Sequence, residues 1–167
     1  MLLGEILHRD VIKIGLDSQD RFAAIRELID LLVESGDLPL SLRDHVVEVV
    51  SAREKSMGTG MELGVALPHG SSERVDRLVG AMGIAPEGIP FESLDGQPAK
   101  LVLLLVLPRD EFHQHVRTLA GISHLLNEES FREALMGATD VDTILARIRS
   151  EEESSLFDRF RAWRRKK

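Results

Sequence analysis

The sequence predicts a layered α/β fold in which helices pack over a central sheet. Two observations carry that expectation. Helical and extended patterns alternate along the chain, and Leu101 to Leu107, LVLLLVL, is apolar at every position. A strand that is apolar on both faces belongs in the middle of a sheet covered on both sides. At 167 residues the chain supports one sizeable core and is short for two domains.

The elements follow in order. Ser18 is placed to cap a helix in which Phe22, Ile25, Ile29, Leu32 and Val33 recur at helical spacing, and Gly36 follows as a stop signal. Ser41, with Asp44 three residues on, predicts a second helix carrying Val46, Val47, Val49 and Val50. Met57 to Gly64, MGTGMELG, has glycines at 58, 60 and 64 and reads as an irregular loop able to bend sharply or approach a ligand. Val65 to Leu67 is a short strand leading into Pro68, and Leu78 to Ala85 is a second extended segment. From Asp110, the expected cap, the pattern is helical again through Leu119, Ile122, Leu125 and Leu126, then Phe131 to Met136, then Val141 to Ile148. No internal repeat or low-complexity linker precedes about Glu151, so residues 1–151 are taken as one domain and 152–167 as a tail.

Composition removes several chemistries. Without cysteine there is no disulfide and no thiolate, which leaves His, Asp and Glu for polar chemistry and fits a reducing compartment. MLLGEILHRD has no basic leader before a long apolar run, and no segment approaches the roughly 20 residues of a membrane span. A cytoplasmic protein is expected. The formal net charge of −7 argues against general nucleic-acid binding, which needs clustered cations.

The tail reverses that charge. Between Leu156 and Lys167 stand Arg159, Arg161, Arg164, Arg165, Lys166 and Lys167 against one acid, Asp158. Leu156, Phe157, Phe160 and Trp163 recur at helical spacing, so a basic amphipathic helix is expected. It either meets a membrane or a partner's acidic groove, or packs its aromatic side on the domain.

The candidate site is Gly64 to Gly70, GVALPHG, where an apolar strand runs into an imidazole. A histidine in a turn is ordinarily hydrogen-bonded and inert. His69 has company: Pro68 fixes the backbone approach, Gly70 removes side-chain bulk, and the upstream glycine loop can offer N–H groups to an anion. A phosphoryl-accepting histidine needs a neutral ring nitrogen with donors nearby, and Arg53 and Thr59 are candidates. His8, His45 and His124 lack clustered polar partners and read as surface or core-edge residues. His113 and His115 point different ways on a helix, so one site cannot take both. His115 shares a stripe with Leu119 and Ile122 and follows the central strand, which suits a partner for His69. Two histidines in one pocket equally suit a metal, although no carboxylate sits at ligand-like spacing from either.

Arg53-Glu54-Lys55, Gly58-Thr59-Gly60 and Gly64 to Gly70 resemble the active-site signature of the fructose/mannitol-type (type 2) enzyme IIA domain of the bacterial phosphoenolpyruvate-dependent phosphotransferase system. The resemblance continues through Pro90-Phe91, Asp95-Gly96-Gln97-Pro98, the strand Leu101 to Leu107, and His115 with Leu119, covering roughly residues 3 to 150. It implies a three-layer α/β/α domain with a mixed central sheet and a phosphohistidine formed on His69. It further implies HPr or a regulatory relative as phosphoryl donor, His115 as the neighbouring histidine, and Arg53 holding the phosphate. No metal and no organic cofactor are expected. Where family members commonly read Ser-Thr-Gly-Ile-Gly, this chain has Gly58-Thr59-Gly60-Met61-Glu62, which exchanges a hydroxyl for a carboxylate near the site. The stand-alone length and whole-chain pattern look closest to the nitrogen-regulatory branch. The alternatives are a sugar-specific component passing phosphate to a IIB domain, and a protein-binding module that takes no phosphate.

Overall fold

A computed structural model describes residues 3 to 165, apart from the side chain of Phe112. Short helix α1 (Leu3–Ile6) and a 3-10 turn lead into strand β1 (Ile12–Ile14), followed by helices α2 (Arg21–Glu34) and α3 (Arg43–Ser56). Strands β2 (Val65–Ala66), β3 (His69–Ser72), β4 (Val79–Ile89) and β5 (Ala99–Pro108) come next, then α4 (Phe112–Asn127), α5 (Glu129–Met136) and α6 (Val141–Arg165). The five strands form one mixed sheet. β1 runs parallel to β4, β4 antiparallel to β5, and both β2 and β3 lie parallel along the far side of β5.

The expected central strand is β5. Leu101 to Leu105 are each fully buried, and both of its edges are paired. Residues in register share a face, so His69 points with Leu105, and Gly70 and Ser72 point to the opposite side with Val106 and Pro108. The Gly70 face carries α2 and α3: a Cβ on Gly70 would lie 2.9 Å from Val49 and 3.1 Å from Val50 of α3. The His69 face carries the third layer, α1 with α4, α5 and α6. A Cβ on Gly80, in register with Leu105, would meet Ile6 of α1 at 2.8 Å.

Several local expectations shift. Asp20, not Ser18, caps α2, accepting from the Ala23 N–H, while Ser18 donates its hydroxyl to Glu27 at 2.6 Å. Ser41 lies in a 3-10 turn and α3 begins at Arg43 after Leu42, with no side-chain cap. Asp110 also sits in a 3-10 turn, and Glu111 occupies the cap position of α4. β1 was not foreseen, because Ile12 to Ile14 is too short to show a period. Among the described residues no helix is long and apolar enough to cross a membrane.

Candidate functional site

His69 is not in a turn after a strand but opens one. Pro68 lacks an N–H and interrupts the ladder between β2 and β3, yet its carbonyl still accepts from Leu105 at 3.0 Å, so the same edge of β5 is resumed at His69. The Leu67 backbone faces away from β5, toward the Thr59 loop, so its carbonyl lies outside the β5 ladder. His69 Nδ1 lies 2.8 Å from that carbonyl. A carbonyl only accepts, so Nδ1 carries the proton and Nε2 of the neutral ring keeps its lone pair. Burial pushes the His69 pKa below the ordinary histidine range, and the nearby Arg53 charge pushes the same way. The Leu67 hydrogen bond and Glu54 oppose them.

The glycine loop is folded back on β2 and held from two sides. Leu67 N–H donates to Thr59 at 3.0 Å and Met61 N–H to Val65 at 2.7 Å, with Gly60 bridged to Ala66. Gly60 is required here, since a Cβ would lie 2.4 Å from the Phe91 carbonyl oxygen. At the loop's end Leu63 and Gly64 both have positive φ, 66° and 77°, and Leu63 N–H donates to Asp95 at 2.8 Å. The Asp95-Gly96-Gln97-Pro98 turn therefore anchors the loop that leads to His69. Hydrogen bonds from Leu63 and Gln97 hold the Asp95 carboxyl below its usual range.

Thr59 is buried, and both of its donors go to one carboxylate. Its N–H reaches Glu54 at 3.1 and 3.2 Å, and its hydroxyl donates to Glu54 Oε2. Arg21 Nη1 stands 3.5 Å from the same carboxylate and 3.0 Å from Glu92. Glu54 is a residue that motif spacing alone did not single out as a site residue. It is 1% exposed at the end of α3, next to Arg53, and joins the helix to the loop. Arg53 is partly exposed and donates from Nη1 to the Met57 carbonyl at 2.7 Å, which leaves further guanidinium N–H groups. Glu62, the carboxylate gained near the site, is exposed.

His115 stands in the first turn of α4, on the side of the sheet to which His69 points. It is 7% exposed, and its Nε2, 3.6 Å from Glu111, is buried without a hydrogen-bond partner. His45, read from sequence as a core-edge residue, bonds through Nε2 to Ser72 Oγ at 2.7 Å and ties α3 to the far end of β3. His8 pairs with Asp37 at 2.6 Å, away from the site. Among the described residues no group of three or more His, Asp or Glu side chains is placed to hold a metal ion.

The chain as a whole resembles known proteins. Residues 5–151 match the family described as the phosphoenolpyruvate-dependent sugar phosphotransferase system, EIIA 2. The fructose-specific EIIABC component of Bacillus subtilis is 31% identical over 153 residues, 92% of this chain but only 24% of that protein. The crystal structure of the nitrogen regulatory protein IIA-Ntr from Neisseria meningitidis superposes with a TM-score of 0.79 at 29% identity, covering 87% of this chain and 98% of that one. The IIA mannitol structure solved in complex with phosphorylated IIB from Escherichia coli gives 0.73 at 25% identity, covering 86% and 97%. The α/β fold with its mixed sheet is that of the IIA proteins, and the chain belongs to the EIIA 2 family of phosphoryl-transfer components.

Proposed function

We infer that the protein accepts a phosphoryl group on Nε2 of His69 from HPr or an HPr-like phosphocarrier and acts as a regulatory component of the phosphotransferase system. One observation carries the chemistry: the Nδ1–H of His69 is fixed on the Leu67 carbonyl, which orients the ring and reserves Nε2 as the nucleophile. The nitrogen lone pair attacks the phosphorus of the donor's phosphohistidine, and the donor's N–P bond breaks as the new one forms. The low pKa keeps the acceptor neutral.

Charge then has to be offset. Arg53 supplies a guanidinium close enough to depress the His69 pKa, and its remaining N–H groups suit phosphate oxygens. His115 brings a buried ring nitrogen that has no hydrogen-bond partner in the resting protein, and a phosphoryl oxygen is the partner we assign to it. Thr59 is assigned to the same phosphate site. Its donors are spent on Glu54 at rest, so a direct contact with phosphate requires them to exchange partners.

The match to IIA-Ntr over nearly its full length supports the regulatory reading. The sugar-specific reading, with a IIB domain as acceptor, is supported by the matches to the fructose EIIABC component and to mannitol IIA in its IIB complex. Incubation with phosphoenolpyruvate, enzyme I and HPr should place one acid-labile phosphate on the protein and none on His69→Ala. A wild-type protein that takes no label would leave the protein-binding module. Onward transfer to a fructose- or mannitol-type IIB domain would favour the sugar reading over the regulatory one.

A further inference from the structure

We propose that the last turns of α6, Leu156 to Arg165, form a membrane-surface helix that lies on anionic lipid. The helix is anchored to the domain up to Glu152, whose carboxylate is buried and accepts from the Gly4 N–H at 3.1 Å. Beyond it every described residue from Glu153 to Arg165 is exposed, although the helix continues without a break. The apolar side of this segment stays half open to solvent, with only Leu156 lining a cavity shared with Leu3 and Leu125 of the domain. Leu156, Phe157, Phe160 and Trp163 are 49%, 56%, 53% and 53% exposed.

The arrangement of side chains around this segment selects the occupant. At roughly 100° per residue, Trp163, Leu156, Phe160 and Phe157 span one arc of about 120° that Arg164 shares between the two phenylalanines, bordered by Arg159 on one side and Arg161 and Arg165 on the other. Arg161 and Arg164 lie over the Phe157 and Phe160 rings at 4.6 and 6.0 Å, which holds their charges level with the apolar ridge. Cations at the boundary of an aromatic face match an interface where acyl chains end and anionic headgroups begin. A second copy of the chain fits less well. Four half-exposed side chains offer roughly 400 Å², against about 800 Å² per partner in a stable protein interface. The arc is also far shorter than the three or four heptads of a coiled coil.

Charge separates the helix from the rest of the molecule. Six cations against one acid from Leu156 to Lys167 give this segment +5, which leaves −12 of the chain's −7 total on residues 1 to 155. An anionic surface attracts the helix and repels the domain, so the helix lies flat while the domain stands away from the lipid.

Trp163 is the only tryptophan in the chain and reports on the segment directly. Added to the full-length protein, phosphatidylglycerol-containing vesicles should shift its emission to the blue and sediment the protein. Pure phosphatidylcholine vesicles should do neither. The double variant Phe157→Ser, Phe160→Ser should lose sedimentation while retaining its helical circular dichroism and its phosphoryl acceptance. Each of Arg159→Gln and Arg161→Gln should weaken partitioning about fivefold. His69→Ala should bind vesicles like wild type, so this proposal stands or falls independently of the phosphohistidine. It is overturned if wild type ignores anionic vesicles, binds neutral ones equally, or keeps its binding in the double variant. It is also overturned if sedimentation velocity finds a dimer that the double variant abolishes.

Discussion

Glu54 accepts both the backbone N–H and the hydroxyl of Thr59, and does so at 1% exposure. A carboxylate so deeply placed is tolerated because Thr59 and Arg21 surround it, and truncating it leaves the two Thr59 donors without an acceptor, while Arg21 keeps Glu92. Glu54→Ala should therefore lower unfolding stability by about 3 kcal/mol, read from the urea midpoint. Glu54→Gln retains an acceptor and should lose less. Equal stability of all three proteins would mean that the loop needs no such tether.

Two glycines near the site are set by contact and not by backbone conformation. Gly70 allows α3 to lie against β3, and Gly70→Ala would bring a Cβ to 2.9 Å from Val49 and 3.3 Å from the Val50 Cα. The helix must then move, and overpacking of this kind costs roughly 1–3 kcal/mol. Because α3 carries Arg53 and Glu54 in its last turn, the same shift should slow phosphoryl acceptance as well as lower the melting temperature. Gly60→Ala meets the Phe91 backbone at 2.4 Å and should be the more damaging of the two.

The sheet was legible where hydrophobicity alone decides, as in LVLLLVL, which became the doubly paired β5. It was not legible where a proline splits one edge into two strands, since pairing of His69 to Ser72 depends on β5, some thirty residues away. Helix bodies followed their periods, but caps did not. Asp20 displaced Ser18 because Ser18 is drawn to Glu27, a contact nine residues on that no local pattern contains. Within the candidate site the glycine loop and His69 stood out by composition. Glu54 did not, because nothing local to it in sequence declares that it is buried beside Thr59 and Arg21. The His45–Ser72 link was hidden in the same way.

Arg53 and His115 carry separable expectations. Loss of a charge-assisted hydrogen bond to phosphate costs about 1.5–3 kcal/mol, so Arg53→Ala should reduce phosphoryl acceptance by roughly tenfold or more. Arg53→Lys keeps the charge and should fall between that variant and wild type. His115→Ala removes a buried nitrogen that has no hydrogen-bond partner at rest, so it should keep its stability and its binding of the donor while transferring slowly. Unimpaired single-turnover transfer in both Arg53 variants would assign Arg53 to capping α3 through the Met57 carbonyl alone. Wild-type transfer in His115→Ala would make that histidine structural.

The titration of His69 gives a test of sign. Its pKa in the folded protein lies below the ordinary 6.5, first because of burial and then because of Arg53. The unfolded chain therefore binds a proton on this ring at a higher pH than the folded chain does. Stability contributed through His69 is complete above pH 6.5 and declines as the pH falls from there toward the folded-state value. Phosphoryl acceptance should follow the neutral ring, falling on acidification with a midpoint below 6.5. Arg53→Gln removes a repelling charge and should raise that midpoint, whereas Glu54→Gln removes an attracting one and should lower it further. Nuclear magnetic resonance titration of the His69 ring in the three proteins gives the midpoints directly. A wild-type midpoint above 6.5, a fall in the midpoint of Arg53→Gln, or a rise in that of Glu54→Gln would refute this electrostatic account of how the acceptor is kept neutral.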